Sequence, residues 1–392
     1  MFEREPVARP GLPAHSSTRA GDRRPLYPVS RQHLNAMTGE IGLWQHARGP
    51  KPDPLYGYCT DDVSRLVIVD LMHSRELGLT AVDESIRCSV RFVGDAFDGA
   101  TGRFRNFRSA DGQWSEASPS EDCHARAMAG LGALMVELPG TDLADEAGRL
   151  FAGALPAVAS LGYLRAQSAA LLACDFAIEA GPATDVEPVF ELLAGRLERS
   201  FTPSARAGTA KWPWPEPILT YENALVPRAL IAAGLRLQRP AILALGCSVL
   251  DWLIGVQVGE SGFFSPIGNK GWWPRKGVRS QFDQQPIEAA AMVAAASAAY
   301  HATGRGRYLE AAEAAYGWFL GDNDLEVALA DPARGACFDG LTPSDANQNQ
   351  GAESTLMWLT ALEQMRDLRR SAAGGSGRAA VADAAADPGS RQ

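Results

Sequence analysis

The sequence has no long apolar run, little that resembles a β-strand and no excess of positive charge. A helix that crosses a bilayer needs about 20 consecutive apolar residues, and no run in these 392 residues approaches that length. The net charge of −9 argues against nucleic acid or an anionic membrane as a partner, because both attract basic surfaces. The first thirty residues contain no apolar segment typical of a secretory signal. We therefore expect a cytoplasmic protein without a membrane span.

Closely spaced cysteine pairs are also missing. The six cysteines are scattered over positions 59, 88, 123, 174, 247 and 337, and none forms a Cys-x-x-Cys motif. Most of them stand in apolar helical context, which is typical of buried, reduced thiols. The sequence therefore predicts neither a metal site nor a cofactor.

The chain does contain a series of helix starts that carry acidic and amide residues. They lie at residues 60–62, 120–124, 221–223, 281–288 and 349–354, and residues 162–167 begin a further helix in the longest gap. Asp62 and Asp122 are 60 residues apart, and the steps from Glu222 to Glu288 and from Glu288 to Glu353 are 66 and 65 residues. A period near sixty corresponds to two helices with their loops.

The composition of these helices predicts two layers. Helices that follow the acidic starts are rich in small residues, as in 125–130 and 289–294, whereas intervening helices such as 307–313 have a polar face. This alternation predicts an all-α (α/α)6 toroid whose inner helices all start at one end. We expect a single toroid domain over residues 32–369, a disordered arm over 1–31 and a disordered tail over 370–392.

One helix start can be predicted residue by residue. Pro286 suits the first helical position, because its φ angle is preset and it has no N–H group to leave unpaired. This position makes Gln285 the N-cap and Glu288 the third residue of the helix.

Carboxylates in a first helical turn have a simple structural explanation, since each stabilises the helix N-terminus by about 0.3–1 kcal/mol. Thr60 and Ser120 also suit ordinary N-caps. However, several acidic starts that converge on one end would raise some carboxyl pKa values unless cations compensate, and Arg65 and Arg126 are placed to do so. One protonated and one ionised carboxyl group are what glycosidic cleavage requires.

We therefore predict acid–base catalysis by carboxyl groups. Asp62 and Asp122 begin the first two inner helices in matching register and form the first candidate pair, one as the general acid and the other as the base. Asp283 and Glu353 form the second pair, and Glu288 is a further candidate.

Residues expected to bind the substrate include the aromatic side chains of the loops between the helix starts, since flat apolar faces stack on sugar rings. They are Trp212, Trp214, Phe263, Phe264, Trp272 and Trp273. The polar candidates near the helix starts are Asp61, Arg65, Glu121, His124, Arg126, Tyr221, Glu222, Gln284 and Gln350.

Five strings within residues 57–62, 120–126, 212–214, 282–288 and 350–355 resemble a bacterial family of six-hairpin, glycosidase-like toroid proteins. Members of that family are often described only through their association with family 4 glycosyltransferases. The resemblance covers about residues 32–369 and implies the toroid fold and a role in carbohydrate metabolism, but no settled catalytic pair. The spacing of Asp62 and Asp122 is also similar to the two-aspartate layout of unsaturated glucuronyl hydrolases.

Three other functions remain open. A sugar epimerase similar to the N-acylglucosamine 2-epimerases would use histidines, for which His124 and His46 are the candidates. A zinc site similar to that of lanthionine cyclases would draw on Cys59, Cys123, His124 and Cys337. A non-catalytic glycan-binding protein would need the aromatic residues alone. Our prediction is a glycoside hydrolase, or a phosphorylase, that acts on an oligosaccharide or glycoconjugate.

Overall fold

The structure is a computed structural model and describes residues 23–115, 120–181, 184–206, 212–258 and 262–385. The described residues form twelve α-helices and ten two-residue strands. The helices are α1 Gln32–Met37, α2 Thr60–Leu77, α3 Asp83–Ala96, α4 Glu121–Glu137, α5 Asp142–Val158, α6 Leu164–Ala180, α7 Glu187–Arg206, α8 Leu225–Arg236, α9 Pro240–Gln257, α10 Pro286–Thr303, α11 Gly306–Phe319 and α12 Ala352–Ala385.

The strands occur in five antiparallel pairs within the loops. The pairs are β1 Ala47–Arg48 with β2 Lys51–Pro52, β3 Tyr58–Cys59 with β6 Phe107–Arg108, β4 Phe97–Asp98 with β5 Arg103–Phe104, β7 Ile218–Leu219 with β8 Trp273–Pro274, and β9 Ala330–Asp331 with β10 Ala336–Cys337. Each pair ties one loop segment to another without forming a larger sheet.

The even-numbered helices form a closed inner ring. Each packs on the next even-numbered helix, and α12 packs back on α2. The helices α3, α5, α7, α9 and α11 pack outside, each on the inner helix that precedes it. The predicted single-domain, all-α (α/α)6 toroid is confirmed.

Small residues let the inner helices approach closely. In α4, a Cβ atom added at Gly130 would lie 2.8 Å from the carbonyl oxygen of Ser64 in α2. In α10, the residues from Ala289 to Ala296 are all buried, as expected for a helix with neighbours on every side. The same helix begins at Pro286 with Gln285 as N-cap, as predicted.

The ordered chain begins before the predicted boundary at residue 32. Residues 23–31 have no regular secondary structure but pack on the toroid. Arg24 pairs with Asp322, the hydroxyl of Tyr316 donates to the carbonyl of Pro25, and Arg31 Nη1 lies 2.5 Å from Asp70 Oδ1. The arginines of this segment, which indicated disorder in the sequence, therefore anchor it to the toroid. Residues 1–22 lie outside the described residues.

The C-terminal boundary also differs from the prediction. The last helix continues through the alanine-rich segment to Ala385, although a disordered tail was expected from residue 370. Alanine has the highest helix propensity, and Arg370 pairs with Glu76 of α2. The final residues, 386–392, lie outside the described part.

One of the described helices, Pro240–Gln257, is long and apolar enough to cross a membrane by length and composition, with mean hydropathy 1.5. Such a helix is weak support for a membrane span, because core helices of soluble proteins pass the same test. It packs on the inner helix α8.

Candidate active site

The starts of all six inner helices lie at one end of the ring, which we call the mouth. Ion pairs and hydrogen bonds connect them. Arg65 of α2 reaches Glu353 of α12, and Arg126 of α4 reaches Glu222 before α8. Glu121 of α4 accepts the N–H groups of Gly162 and Tyr163 before α6, and Glu288 of α10 accepts that of Glu222.

A first cluster is built around Arg65. Its Nη1 lies 3.0 Å from Asp62 Oδ1 and 3.1 Å from Glu353 Oε2. Asp62 is 4% exposed, and burial raises the pKa of its carboxyl group to about 7, with Glu353 and Asp61 adding to the effect of burial. Arg65 opposes the shift without cancelling it. Asp62 therefore keeps its proton to a higher pH than an exposed aspartate does.

A second cluster is built around Arg126. Its guanidinium lies 2.8 Å from Glu222 Oε2, 3.2 Å from Asp61 Oδ2 and 3.6 Å from Asp122 Oδ2. The Tyr221 hydroxyl donates to Asp122 at 2.5 Å. Asp122 is thus linked to Asp61, whereas Asp62 is linked to Glu353. The prediction that Asp62 and Asp122 lie on neighbouring helices agrees with the packing of α2 on α4, whereas their carboxyl groups contact different arginines. Their roles as acid and base stay a prediction.

Glu288 lies behind the second cluster. It is 3% exposed, and burial raises the pKa of its carboxyl group to about 8. Its Oε1 accepts the backbone N–H of Glu222, whose φ of 46° is rare for a residue with a side chain. Glu288 therefore holds the loop that places the Glu222 carboxylate on Arg126.

A cavity of about 540 Å³ opens at the mouth, and we call it the mouth cavity. Six of the predicted site residues line it: Asp61, Asp62, Arg65, Asp283, Gln284 and Glu353. Asp122, Glu222 and Glu288 are not among its lining residues. Asp62, Arg65 and Glu353 of the first cluster all line the cavity, whereas Asp61 is the one residue named in the second cluster that does so.

Asp283 also lines the mouth cavity and has an unusual backbone conformation. Its φ of 54° is in the left-handed region, which a residue with a side chain seldom occupies. Its backbone carbonyl accepts the N–H of Asn269. The residue is half-buried and lines the cavity, and among the described residues its carboxylate has no hydrogen-bond or ion-pair partner.

The prediction of sugar-stacking tryptophans needs correction. Trp212, Trp214 and Phe264 are 5%, 0% and 0% exposed, so they pack inside the protein. Trp214 donates from its indole nitrogen to Glu216, and the Trp212 ring packs edge-on against Trp273. Loop aromatic residues can close a core as readily as helical ones, and sequence position alone did not separate the two cases.

Other aromatic residues are partly accessible. Trp272 and Trp273 are half-buried, and Trp273 stacks on Trp252. Phe107 lines the mouth cavity and is 39% exposed. Tyr56 is 54% exposed and packs edge-on against His46, which also lines the cavity. Phe107 and His46 are therefore better placed than the tryptophans to contact a sugar ring in this cavity.

Three further predicted binding residues have structural roles. Glu121 accepts two backbone N–H groups at the start of α6. His124 is fully buried 5.7 Å from the Phe104 ring, and burial lowers its pKa to about 4. Gln350 is 5% exposed, and its backbone carbonyl contacts the His33 ring. Gln284 lines the cavity, but its side chain is held by Trp318 and Asp324.

The thiols of the zinc alternative have other partners. Cys59 Sγ donates to Asn106 Oδ1 at 3.1 Å, and Cys123 Sγ donates to the carbonyl of Phe104. Burial raises the pKa of Cys59 and of Cys337 well above the usual value, which disfavours thiolates. The described part of the chain has no group of three or more His, Cys, Asp or Glu residues placed to hold a metal ion.

Sequence reasoning missed several polar residues on the cavity wall. They are Gln45, Asn106, Asn269, Asp339 and Asn347. Asp339 accepts the Gly351 N–H at 2.7 Å and the Ser354 hydroxyl at 2.9 Å, so it orders the loop before α12. These residues lie in irregular loops away from the helix starts, and no periodic signal marked them.

No family model matches the chain, and no curated protein matches it. Solved structures resemble it over most of its length. A sugar epimerase from a ruminal bacterium is 14% identical with a TM-score of 0.67, and the match covers 86% of this chain and 97% of that one. A cellobiose 2-epimerase from Spirochaeta thermophila is 14% identical with a TM-score of 0.65, and the match covers 87% of this chain and 95% of that one.

A GH76 α-mannanase from Bacteroides thetaiotaomicron is 9% identical, with a TM-score of 0.61 and coverage of 87% and 95%. At these identities the likeness concerns the fold. The chain therefore has the six-hairpin glycosidase-like (α/α)6 toroid fold, and the association with glycosyltransferases stays a prediction.

Proposed function

We propose that the protein is an enzyme that cleaves a glycosidic bond in an oligosaccharide or glycoconjugate, with Asp62 as the general acid. The observation that carries the proposal is the buried Asp62 on the wall of the mouth cavity, with a carboxyl pKa of about 7. A carboxyl group in this state can give its proton to the oxygen of the leaving sugar at neutral pH. The same fold occurs in a GH76 α-mannanase.

Asp283 is the candidate base. It shares the cavity wall with Asp62, and its carboxylate has no partner among the described residues. In the proposed reaction it takes a proton from a water molecule that attacks the anomeric carbon, while the proton of Asp62 passes to the leaving oxygen. Arg65 contacts both Asp62 and Glu353, and in the proposed reaction it keeps these two carboxyl groups in position.

A sugar epimerase is the second candidate. His46 lines the mouth cavity, and two of the fold neighbours are epimerases. Epimerisation next to a carbonyl group requires one group that removes a proton and another that returns it to the opposite face. His46 and Asp62 would have to supply these two groups. The carboxyl-rich wall favours cleavage, because His46 is the one histidine among the described lining residues.

Product analysis in deuterated water distinguishes these functions. Neutral β-1,4-linked and α-1,6-linked oligosaccharides of two to six units serve as probes. Cleavage gives shorter sugars, whereas epimerisation gives a sugar of unchanged length with deuterium at the epimerised carbon. Binding without either product would indicate a non-catalytic glycan-binding protein and would contradict the proposal.

Variants then assign the roles. Asp62→Asn and Asp283→Asn should each lower turnover by about 100-fold or more while the circular dichroism spectrum is retained. Asp122→Asn is the matched control, because Asp122 also lies in the first turn of an inner helix beside an arginine but is not among the residues that line the cavity. A larger loss in Asp122→Asn than in Asp62→Asn would overturn the assignment.

A further inference from the structure

A second cavity, of about 570 Å³, lies beside the mouth cavity, and we call it the side cavity. It is formed by the loop before α10 and the loop between α11 and α12. Its lining residues are Phe263, Ser265, Arg279, Gln281, Asn323, Asp324 and Glu326. None of the groups assigned to the reaction lies in it.

Gln284 separates the two cavities. It lines the mouth cavity, and its Nε2 donates to Asp324 Oδ2 at 2.6 Å and to Ser265 Oγ at 3.4 Å, both on the wall of the side cavity. Asp283 precedes it in the chain. Gln284 therefore lines one cavity, contacts the wall of the other and follows the proposed base in the chain.

Arg279 has unused hydrogen-bonding capacity. Its Nη2 donates to the carbonyl and hydroxyl of Ser265, and its Nε is enclosed without an acceptor. Within the described chain it forms no ion pair, in contrast to Arg65 and Arg126 at the same mouth. Burial lowers its pKa, and the charge of the nearby Asp324 carboxylate opposes this shift without cancelling it. A guanidinium in this state gains from an added acceptor.

The carboxylates of the side cavity limit the kind of acceptor. Asp324 accepts hydrogen bonds from Gln281 and Gln284, and Glu326 has a φ of 55°, which is rare for a residue with a side chain. Two carboxylates beside one guanidinium disfavour an anionic ligand. Hydroxyl groups can both accept from Arg279 and donate to Glu326. The half-buried ring of Phe263 adds an apolar surface to the same cavity.

We propose that the side cavity binds a neutral sugar unit of the glycan whose scissile linkage occupies the mouth cavity. The inference rests on the proposed function for the identity of the ligand as a carbohydrate. It makes the enzyme selective for chains long enough to reach past Gln284.

The test compares oligosaccharides of different length. In the wild type, kcat/KM should rise at least tenfold between the disaccharide and the pentasaccharide of the cleaved series. Arg279→Gln and Glu326→Gln should each remove most of this rise and leave cleavage of the disaccharide within about twofold. Lys276→Gln, an exposed change in the same loop as Arg279, should behave as the wild type. A length dependence that persists in both cavity variants would overturn the proposal.

Calorimetric binding of the same oligosaccharides to Asp62→Asn protein separates this inference from the function on which it rests. If the protein cleaves no sugar but Arg279→Gln weakens pentasaccharide binding at least tenfold, the result supports the sugar-binding subsite and contradicts the proposed hydrolase activity. Equal pentasaccharide binding with and without Arg279→Gln, or tighter binding of an oligouronate than of the neutral sugar, contradicts the subsite as described.

Discussion

Asp62 and Glu288 occupy similar positions at helix starts but have different neighbours. Both are almost fully buried, and burial is the largest cause of the raised pKa of each carboxyl group. Asp62 faces the mouth cavity beside Arg65, whereas Glu288 supports the backbone of Glu222. A raised pKa alone therefore does not identify a catalytic acid, and access to the cavity decides between the two.

The pH dependence of the reaction follows from Asp62. Its carboxyl group must be protonated to act as an acid, and its pKa is about 7. We predict that kcat/KM falls about tenfold for each pH unit above this value. The measurement is a profile of kcat/KM from pH 5 to pH 9. A rate that stays level up to pH 9 would exclude Asp62 as the proton donor.

The pH dependence of stability reports on Glu288. Its pKa is about 8 in the folded protein and 4.5 in the reference state, so the folded state holds the proton more tightly. This stabilisation is complete below pH 4.5 and is lost as the pH rises to 8. Glu288→Gln mimics the protonated form at every pH. The decrease in the free energy of unfolding between low pH and pH 8 should therefore be smaller in this variant by roughly 2–4 kcal/mol.

Urea unfolding at pH 5 and pH 8 measures this effect. The free energy of unfolding should change less with pH in Glu288→Gln than in the wild type. An identical pH dependence in the two proteins would show that the carboxyl group is ionised, with an ordinary pKa, in the folded state.

At the scale of the helices, the sequence contained most of the information. The repeated acidic starts and the alternating composition predicted the two layers, and Pro286 predicted the first residue of α10. The periodicity of apolar residues in a helix is a local property, so it can be recognised in one sequence without knowledge of long-range contacts. The side chains of the loops were predicted less well, since Trp214 and Phe264 are buried by contacts that no local pattern encodes.

Close contact between inner helices gives a prediction at this scale. Replacing a glycine within a helix by alanine favours the helix by up to about 1 kcal/mol, but at Gly130 the new Cβ would meet Ser64 O at 2.8 Å. Gly130→Ala should therefore destabilise the protein by about 1–3 kcal/mol. Gly148→Ala in α5 is the control, because no atom lies within 4 Å of its added Cβ.

Denaturant unfolding of both variants measures the difference. Gly148→Ala should be as stable as the wild type or more stable by up to about 1 kcal/mol. If Gly130→Ala is also stabilised, the inner helices are not packed as closely as described.

Across the molecule as a unit, the toroid includes a segment that the sequence analysis placed outside it. Residues 23–31 contact α2 through Asp70, α11 through Tyr316 and α12 through Arg366. Arg31 pairs with Asp70, which is fully buried in α2. Long-range ion pairs of this kind leave no local signal, which is why the arm was read as disordered from its prolines and arginines.

This anchor can be tested by a double-mutant cycle. Arg31→Met leaves the Asp70 carboxyl group buried without its partner and should destabilise the protein by about 3–5 kcal/mol. Adding Asp70→Asn should recover part of that loss, because the uncompensated charge is removed. Additive effects of the two changes in urea unfolding would show that the arm is not anchored through this pair.

The site could be predicted only in part for the same reason. Asp61, Asp62, Asp283 and Glu353 were found because they stand at or before helix starts, and all four line the mouth cavity. Their ion-pair partners could not be assigned from spacing along the chain. Arg65 and Arg126 each pair with a carboxylate of another helix start that is distant in the sequence. Asp339 was missed because the loop before α12 has no repeat.

The most direct test of Asp62 as the general acid is the dependence of the Asp62→Asn variant on the leaving group. The measurement compares kcat/KM for an oligosaccharide of the cleaved series with that for its 2,4-dinitrophenyl glycoside. The dinitrophenolate departs without a proton, so removal of the acid should matter only for the natural sugar. We predict a loss of about 100-fold or more on the oligosaccharide and less than about tenfold on the dinitrophenyl glycoside. Equal losses on the two substrates, or no loss on either, would contradict the account.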